Sequence, residues 1–370
     1  MDAREISTQE SIRNSVETAE YFRLKGKTRP LSTHQLTSQF RMLIEQILSE
    51  SGFYAPEMAA VALKQAEGDI FEAVQYLRAQ KNTIERKYES ETIDTRHMFV
   101  ERRISSAFRE IPGGQILGPS RDYTQRLLEP HLATENMESI EEFVENTVPS
   151  EKCDLDPELT NLGKVADLLR KEGLMKGVEE DDRTLVDITR TPITFPAPRS
   201  ARLQMLAKSQ TGAILAIGYS GQRGFGGGHG TVGELRVGKA PVKVKDNHGR
   251  ERSLGRIRTT EAEMITRMTA GRKGSLPHLA IGYGLCFGQN ETKAISMGGL
   301  DRSMRKGNDE FPCQSQEFLM YHCEAEEAWG GIQSHKLPNY TAFESDLNLI
   351  RQAVARSEEK SHDVAESPTN

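Results

Sequence analysis

Thr211-Gly-Ala-Ile-Leu-Ala-Ile-Gly-Tyr-Ser-Gly-Gln-Arg-Gly-Phe-Gly-Gly-Gly-His-Gly-Thr-Val-Gly-Glu-Leu-Arg236 is the stretch from which the fold is read. Its first ten residues, 211–220, form an apolar run of strand length. From Leu235 to Val244 the pattern alternates into a second strand, and Asp246-Asn-His-Gly249 has the composition of a hairpin turn. Between the two predicted strands, residues 219–236 hold seven glycines. Such a density lets backbone amides come close to a ligand. Arg223, His229, Glu234 and Arg236 flank those amides, so the loop is shaped to hold an anion. A mobile surface loop would have the same glycine content. A second polar run upstream favours binding: Glu101-Arg-Arg-Ile-Ser, Ile111-Pro-Gly-Gly-Gln and Asp122-Tyr-Thr-Gln-Arg126 mix turn residues and forked donors in the same way.

Downstream, Thr260 to Met268 predicts a helix, Pro277 to Phe287 a strand, and Glu291 to Met304 another helix. A helix from Phe343 to Ala355 closes the fold, and the polar residues 356–370 form a disordered tail. Upstream, the apolar positions 36, 40, 43, 44, 47 and 48 lie on one helical face. Gly52 supplies a stop, Pro56 opens a helix over Glu57–Ala66, and Gly68-Asp69 breaks it before a third from Ile70 to about Lys81. The pattern resembles a ubiquitin-associated three-helix bundle, a likeness that any compact three-helix unit shares, so the region is read as a docking and core-forming module. Met98 to Leu128 reads as loops and short helices carrying side chains. A short helix is expected over Leu162–Glu172, and prolines 192, 196 and 198 impose an extended connection after it. The expected class is α+β: a helical N-terminal domain (1–90), a turn-rich motif segment (91–132), an acidic linker (133–161), a mixed, mainly antiparallel sheet domain with flanking helices (162–355), and the tail.

With 370 residues the chain is long enough for two or three domains. Its 36% hydrophobic and 28% charged content and mean hydropathy of −0.58 suit a soluble globular protein with extended polar surface. No run approaches the roughly 20 apolar residues needed to span a bilayer. The polar N-terminus has no apolar core segment and is not a secretory signal, so the cytoplasm is the expected compartment. The four cysteines, Cys153, Cys286, Cys313 and Cys323, form no Cys-x-x-Cys pair and read as reduced thiols. The net charge of −6 is unevenly spread: residues 133–161 hold nine acids and one lysine, whereas 236–258 hold eight Lys or Arg and two acids. That basic block attracts anions. It contains no aromatic residue, and none occurs between Phe225 and Tyr283, so the stacking platforms of single-strand binding are missing and no nucleic acid is expected as partner.

From about Leu31 to Ile350 the chain resembles the PhnI family, a subunit of the carbon-phosphorus lyase core complex. The resemblance rests on Ala62-Leu-Lys-Gln-Ala, Glu101-Arg-Arg-Ile-Ser, Ile111-Pro-Gly-Gly-Gln-Ile-Leu-Gly-Pro119, Asp122-Tyr-Thr with Arg126-Leu-Leu, Asp187-Ile-Thr-Arg-Thr-Pro192, Gln222-Arg-Gly, Gly233-Glu with Arg236, Gly282-Tyr-Gly-Leu with Phe287-Gly, and Lys336-Leu-Pro. It implies chemistry at the anomeric carbon of a purine nucleoside triphosphate. The subunit alone would act as a nucleosidase, and with other core subunits it would let an alkylphosphonate displace the base. Mg-ATP is then the substrate rather than a resident cofactor.

Such a displacement builds positive charge on the sugar and needs an acid for the leaving base. Glu234 and Asp122 are the candidate carboxylates and His229 the candidate acid. Arg223, Arg236 and Arg126 are forks suited to phosphates, and the amides of glycines 224–230, with Gly224 and Gly226 among them, could complete the cradle. Bland readings stand beside each: Asp122 capping a turn, Glu234 pairing with Arg236 along a strand, His229 only folding the loop. Gln125, Gly227 and Gly230 stand where the family usually has His, Arg and Pro. In Ser334-His-Lys-Leu-Pro-Asn339 the family carries two histidines resembling a metal pair, and here Asn339 replaces one, so no metal is assigned and His335 is a doubtful ligand. His322, Cys323 and His335 follow no metal spacing. A working nucleosidase-type subunit and a catalytically inactive scaffold or nucleotide-binding paralogue both remain open.

Overall fold

Gly52, Pro56 and Asp69 punctuate the N-terminal helices as their chemistry requires. A computed structural model describes residues 9–147, 162–175, 185–225, 229–246, 248–268, 278–305, 310–337 and 341–365. Helix α1 (Gln9–Leu24) buries none of its residues. Helix α2 (Thr33–Gln39) opens on a capping box between Ser32 and Gln35, and α3 (Arg41–Ser51) follows it. The single apolar face expected over 36–48 is therefore two helices, parted at Phe40, whose φ of −107° and ψ of 36° leave the helical region. Gly52 ends α3 at φ 62°, the left-handed conformation that a side chain disfavours. Pro56 is the first residue of α4 (Pro56–Gln65), and the Asp69 carboxylate accepts from the amides of Phe71 and Glu72 to start α5 (Ile70–Asn82). Ile47, Leu48, Leu63 and Leu77 meet in the core of this unit. Burying each contributes about 1.5–3 kcal/mol.

Strand β1 (Phe99–Ile104) runs through the segment read as loops, and α6 (Met137–Asn146) forms within the acidic stretch without burying a residue. Helices α7 (Val165–Lys171), α8 (Arg199–Lys208) and α9 (Thr211–Ser220) come next, then strands β2 (Thr231–Lys245), β3 (Glu251–Met268) and β4 (His278–Phe287), and helices α10 (Glu291–Met304) and α11 (Gln316–Cys323). The sheet order is β1-β2-β3-β4, every neighbouring pair antiparallel. The class is α+β as expected.

Two expectations are corrected. Residues 211–220 are helical, because Ile214 and Ile217 sit on the cluster that α10 builds from Ala294, Met297 and Leu300. Gly218 of α9 faces Ser296 of α10, where a Cβ would make an ordinary contact of 3.5 Å with Ser296 Cβ. Residues 260–268 are strand rather than helix, because β2 and β4 bracket them on both sides.

The sheet has unlike faces. Leu235 and Ala262 point to the α10 side, where Cys286, Met297 and Leu300 complete a dry core. There β4 and α10 approach most closely at glycines: a Cβ on Gly282 would lie 2.0 Å from the Gly298 carbonyl oxygen, and one on Gly284 2.1 Å from that of Ala294. The opposite face carries Glu234, Arg236, Glu261 and Glu263, all buried.

The chain divides into two compact units, Met1–Glu324 and Ala325–Asn370. The second holds α12 (Ala325–Gln333), a 3-10 turn over Ser334–Lys336, and α13 (Thr341–Ala365). The helix expected to stop at Ala355 thus runs on into the stretch read as a tail, of which 366–370 lie outside the described residues.

Candidate functional site

Five buried charges and a tyrosine meet on the ionic face of the sheet. Arg103 of β1 donates from Nε to Glu234 of β2 at 2.6 Å, from Nη2 to the Gly163 carbonyl at 2.7 Å, and from Nη1 to the Pro112 carbonyl. The second Glu234 oxygen accepts from the Val165 amide at 2.9 Å, which pins the start of α7 to the sheet. One residue pair along, Glu261 accepts from Lys164 Nζ at 2.6 Å, Thr95 Oγ1 at 2.7 Å and Tyr283 OH at 2.7 Å. Arg236 donates to the Thr95 carbonyl at 3.1 Å and lies 3.8 Å from Glu261.

Burial opposes charge on Glu261, but Lys164, Arg236 and the tyrosine hold its carboxyl below the usual range. Glu263 next to it is the contrary case. Burial, opposed by Lys164 and reinforced by Glu261 and Glu234, pushes its carboxyl up to about 7. Tyr283 is raised as well, by burial and by the Glu261 charge. The stability consequence follows from linkage. Below the ordinary glutamate pKa of 4.5 both folded and unfolded chains hold the proton; above it the unfolded chain releases it while the fold retains it, until pH passes about 7. The Glu263 contribution is thus present in acid and lost as pH rises through 7. Glu263→Gln should therefore gain on the parent by up to about 3 kcal/mol between pH 4.5 and 8, measured by urea unfolding. A gap that stays constant, or narrows, across that range would remove this account of the carboxyl.

Asp122 and Arg126 come together away from this network. Arg126 donates to Asp122 Oδ1 at 3.1 Å, and Arg102, buried on β1, donates to Oδ2 at 2.6 Å. The Ser120 hydroxyl adds a bond of 2.7 Å to Oδ2. Arg102 also reaches Glu291 in the first turn of α10 at 3.1 Å. The Asp122 side chain nonetheless stays 48% exposed and that of Arg126 72%. The carboxylate is fixed from behind and open in front.

The profile of the family described as "Bacterial phosphonate metabolism protein (PhnI)" matches residues 6–357. The chain belongs to the PhnI family. It is 39% identical over 330 residues to a putative C-P lyase subunit protein HtxH of Stutzerimonas stutzeri, covering 87% of each chain. It is 38% identical over 346 residues to the alpha-D-ribose 1-methylphosphonate 5-triphosphate synthase subunit PhnI of Rhizobium meliloti, covering 91% of this chain and 89% of that one. To the subunit of the same name from Escherichia coli it is 37% identical over 327 residues, covering 87% and 89%.

On this PhnI chain the sequence candidates fall into three places. Glu234 and Arg236 are 1% exposed, and Glu234 pairs with Arg103 rather than with Arg236. Arg223 and Gly224 lie in a π-helical turn, Gly221–Phe225, with Gly224 at φ 110°; both residues are exposed, as is His229. Gly226 and Gly227 lie outside the described residues. Asp122 and Arg126 form the half-exposed pair. Lys164, Glu261 and Glu263 were missed, and Arg103 and Tyr283 were quoted within motifs without a role of their own. Their one visible signal was Glu261 and Glu263 alternating with Ala262 and Met264, the period of a strand with an ionic face.

His335 is exposed in the 3-10 turn of the second unit, while His322 of α11 is bonded to the Phe318 carbonyl at 2.7 Å and Cys323 is buried. Among the described residues no three His, Cys, Asp or Glu side chains gather as metal ligands. Ser334 Oγ is committed to the Gly331 carbonyl at 2.7 Å, so one imidazole remains where the resemblance implies two, and that donor set does not fit a resident metal. No described helix is long and apolar enough to cross a membrane.

Proposed function

We propose that this PhnI chain is a subunit of a carbon-phosphorus lyase complex that displaces the purine of a nucleoside triphosphate with an alkylphosphonate at the anomeric carbon. The observation that carries the reading is similarity over about nine-tenths of the chain to subunits named for the synthesis of a ribose bearing methylphosphonate at position 1 and a 5-triphosphate. To reach that product from Mg-ATP, a phosphonate oxygen bonds to C1 while the C1–N bond breaks; the bonding pair leaves with the base, which takes up a proton.

The chain's exposed groups suit those tasks. Asp122, aimed by Arg102, can face the positive charge that develops on the ribose. Arg126 and Arg223 supply forks for phosphate oxygens, and His229 is the acid for the leaving base. Glu234 and Arg236 hold the framework instead. Incubating the chain with ATP, Mg2+ and methylphosphonate, alone and with the other core subunits, should release free adenine on chromatography. Asp122→Asn should lower that release about 100-fold or more at unchanged melting temperature. No adenine under either condition removes the catalytic reading. Gln125, Gly227 and Asn339 favour a second one, an inactive subunit that binds its neighbours or a nucleotide; failure of those subunits to co-purify with the chain would remove that.

A further inference from the structure

A cleft of about 1080 Å3 opens on the ionic face of the sheet, beyond the network just described. Ala240, Ile257, Thr259, Leu285 and Phe287 of the sheet give it a mostly apolar floor. An exposed strap of chain, residues 84–90, forms the opposite wall. One end reaches Thr95, whose hydroxyl and carbonyl belong to the Glu261–Arg236 network. None of the residues that line it belongs to the glycine loop or to the Asp122–Arg126 pair, so it is a place apart from the chemistry proposed above.

At the end nearest α3 two ammonium-bearing side chains converge on one residue. Lys81 Nζ donates to the Gly52 carbonyl at 3.2 Å, and the Lys208 side chain crosses the same glycine so closely that a Cβ there would be 3.1 Å from Lys208 Cγ. Neighbouring cations are answered: Arg86 pairs with Asp187 at 2.8 Å and Arg78 with Glu324 at 2.7 Å. Lys81 still feels excess positive charge. Burial holds its ammonium below the usual range, and Lys208, Arg86 and Arg78 push the same way against Asp187. On the floor, Thr259 is only 4% exposed and its hydroxyl has no hydrogen-bond partner among the described residues. A buried hydroxyl left unpaired costs about 1–3 kcal/mol, which a ligand atom can recover.

We propose that the cleft binds a phosphate monoester of mononucleotide size, its phosphoryl group at the Lys81–Lys208 end and a ring-bearing body on the floor with a polar edge at Thr259. A dianion suits two ammonium groups used as point charges. A mostly apolar floor with one unpartnered hydroxyl suits a heterocycle, apolar in body and polar at its edge, better than a sugar.

Calorimetric titration of the full chain with AMP, phenyl phosphate and inorganic phosphate tests this. AMP and phenyl phosphate should bind saturably and more tightly than inorganic phosphate. Lys81→Ala/Lys208→Ala should weaken both by about tenfold or more, and Thr259→Val should weaken AMP by a smaller factor. Arg223→Ala should leave both unchanged, and adenine release from ATP should survive in the lysine variant. Lys81→Gln/Lys208→Gln serves if the alanine pair melts early. Absence of saturable binding, binding equal in every variant, or AMP binding lost in Arg223→Ala instead would each overturn the proposal. Adenine release is scored separately, so the cleft can fail while the catalytic reading stands, and the reverse.

Discussion

Arg103→Ala should destabilise the fold by about 3–5 kcal/mol, the usual result of removing one half of a buried ion pair. The guanidinium is fully buried and its Glu234 partner 1% exposed, so water cannot replace the lost donor. The carboxylate would keep only the Val165 amide, and the Gly163 and Pro112 carbonyls would lose their partner together. Those carbonyls belong to segments that cover the ionic face, so the damage spreads beyond one pair. Arg126→Ala is the control. Its side chain is 72% exposed, and it should change stability by less than about 1 kcal/mol. Arg103→Met/Glu234→Leu should recover much of the loss, because an apolar pair carries no desolvation penalty. Urea unfolding of all three variants reads this directly, and a midpoint for Arg103→Ala equal to that of the parent would show that the network holds nothing.

Gly282→Ala should be nearly as damaging for the opposite reason. The methyl would enter a gap where the Gly298 carbonyl oxygen stands 2.0 Å away and Arg302 Cβ 2.8 Å. The first obstacle is helix backbone, which cannot rotate aside as a side chain can, so α10 must lift from β4. Overpacking of this kind costs about 1–3 kcal/mol where side chains can yield, and the upper end or more is expected where backbone must move. Gly299→Ala, one position along α10 from Gly298, meets nothing within 4 Å and should stabilise the helix by up to about 1 kcal/mol. Opposite signs for the two substitutions in chemical unfolding would establish the close contact; equal effects would dismiss it.

The N-terminal helices were legible because their signals are local. Gly52, Pro56 and Asp69 act within one turn of themselves, and α10 was bounded correctly by its own pattern. The errors fell where distant partners decide. An apolar run such as 211–220 fits either a strand or a buried helix, and only the presence of α10 settles which. Glu261 and Glu263 argued against a strand until Lys164, Arg236 and Tyr283 supplied partners from elsewhere in the chain. Strand β1 hid for the same reason: Arg102 and Arg103 look like surface residues when Glu291 and Glu234, which they meet, lie more than a hundred positions away. For the site, Asp122 and Arg126 were named from one short polar stretch, but in separate roles; their pairing came only with the structure. The inward turn of Glu234 and Arg236 was not legible either, since nothing local shows which face of β2 is covered.

The strands are unequal in length. Strand β1 ends its pairing with β2 at Lys239, and β4 ends its pairing with β3 at Thr259, so from Ala240 opposite Ile257 to Lys245 opposite Glu251 the sheet narrows to a ribbon two strands wide. Ser90 bridges to Val244 on that ribbon. The arrangement is a cantilever, anchored in four strands at its root and tied toward its tip only by Ser90 and Glu91 among the described residues. Its bending line crosses Ala240 and Ile257, so a load on the distal turn tilts the very surface on which the cavity rests.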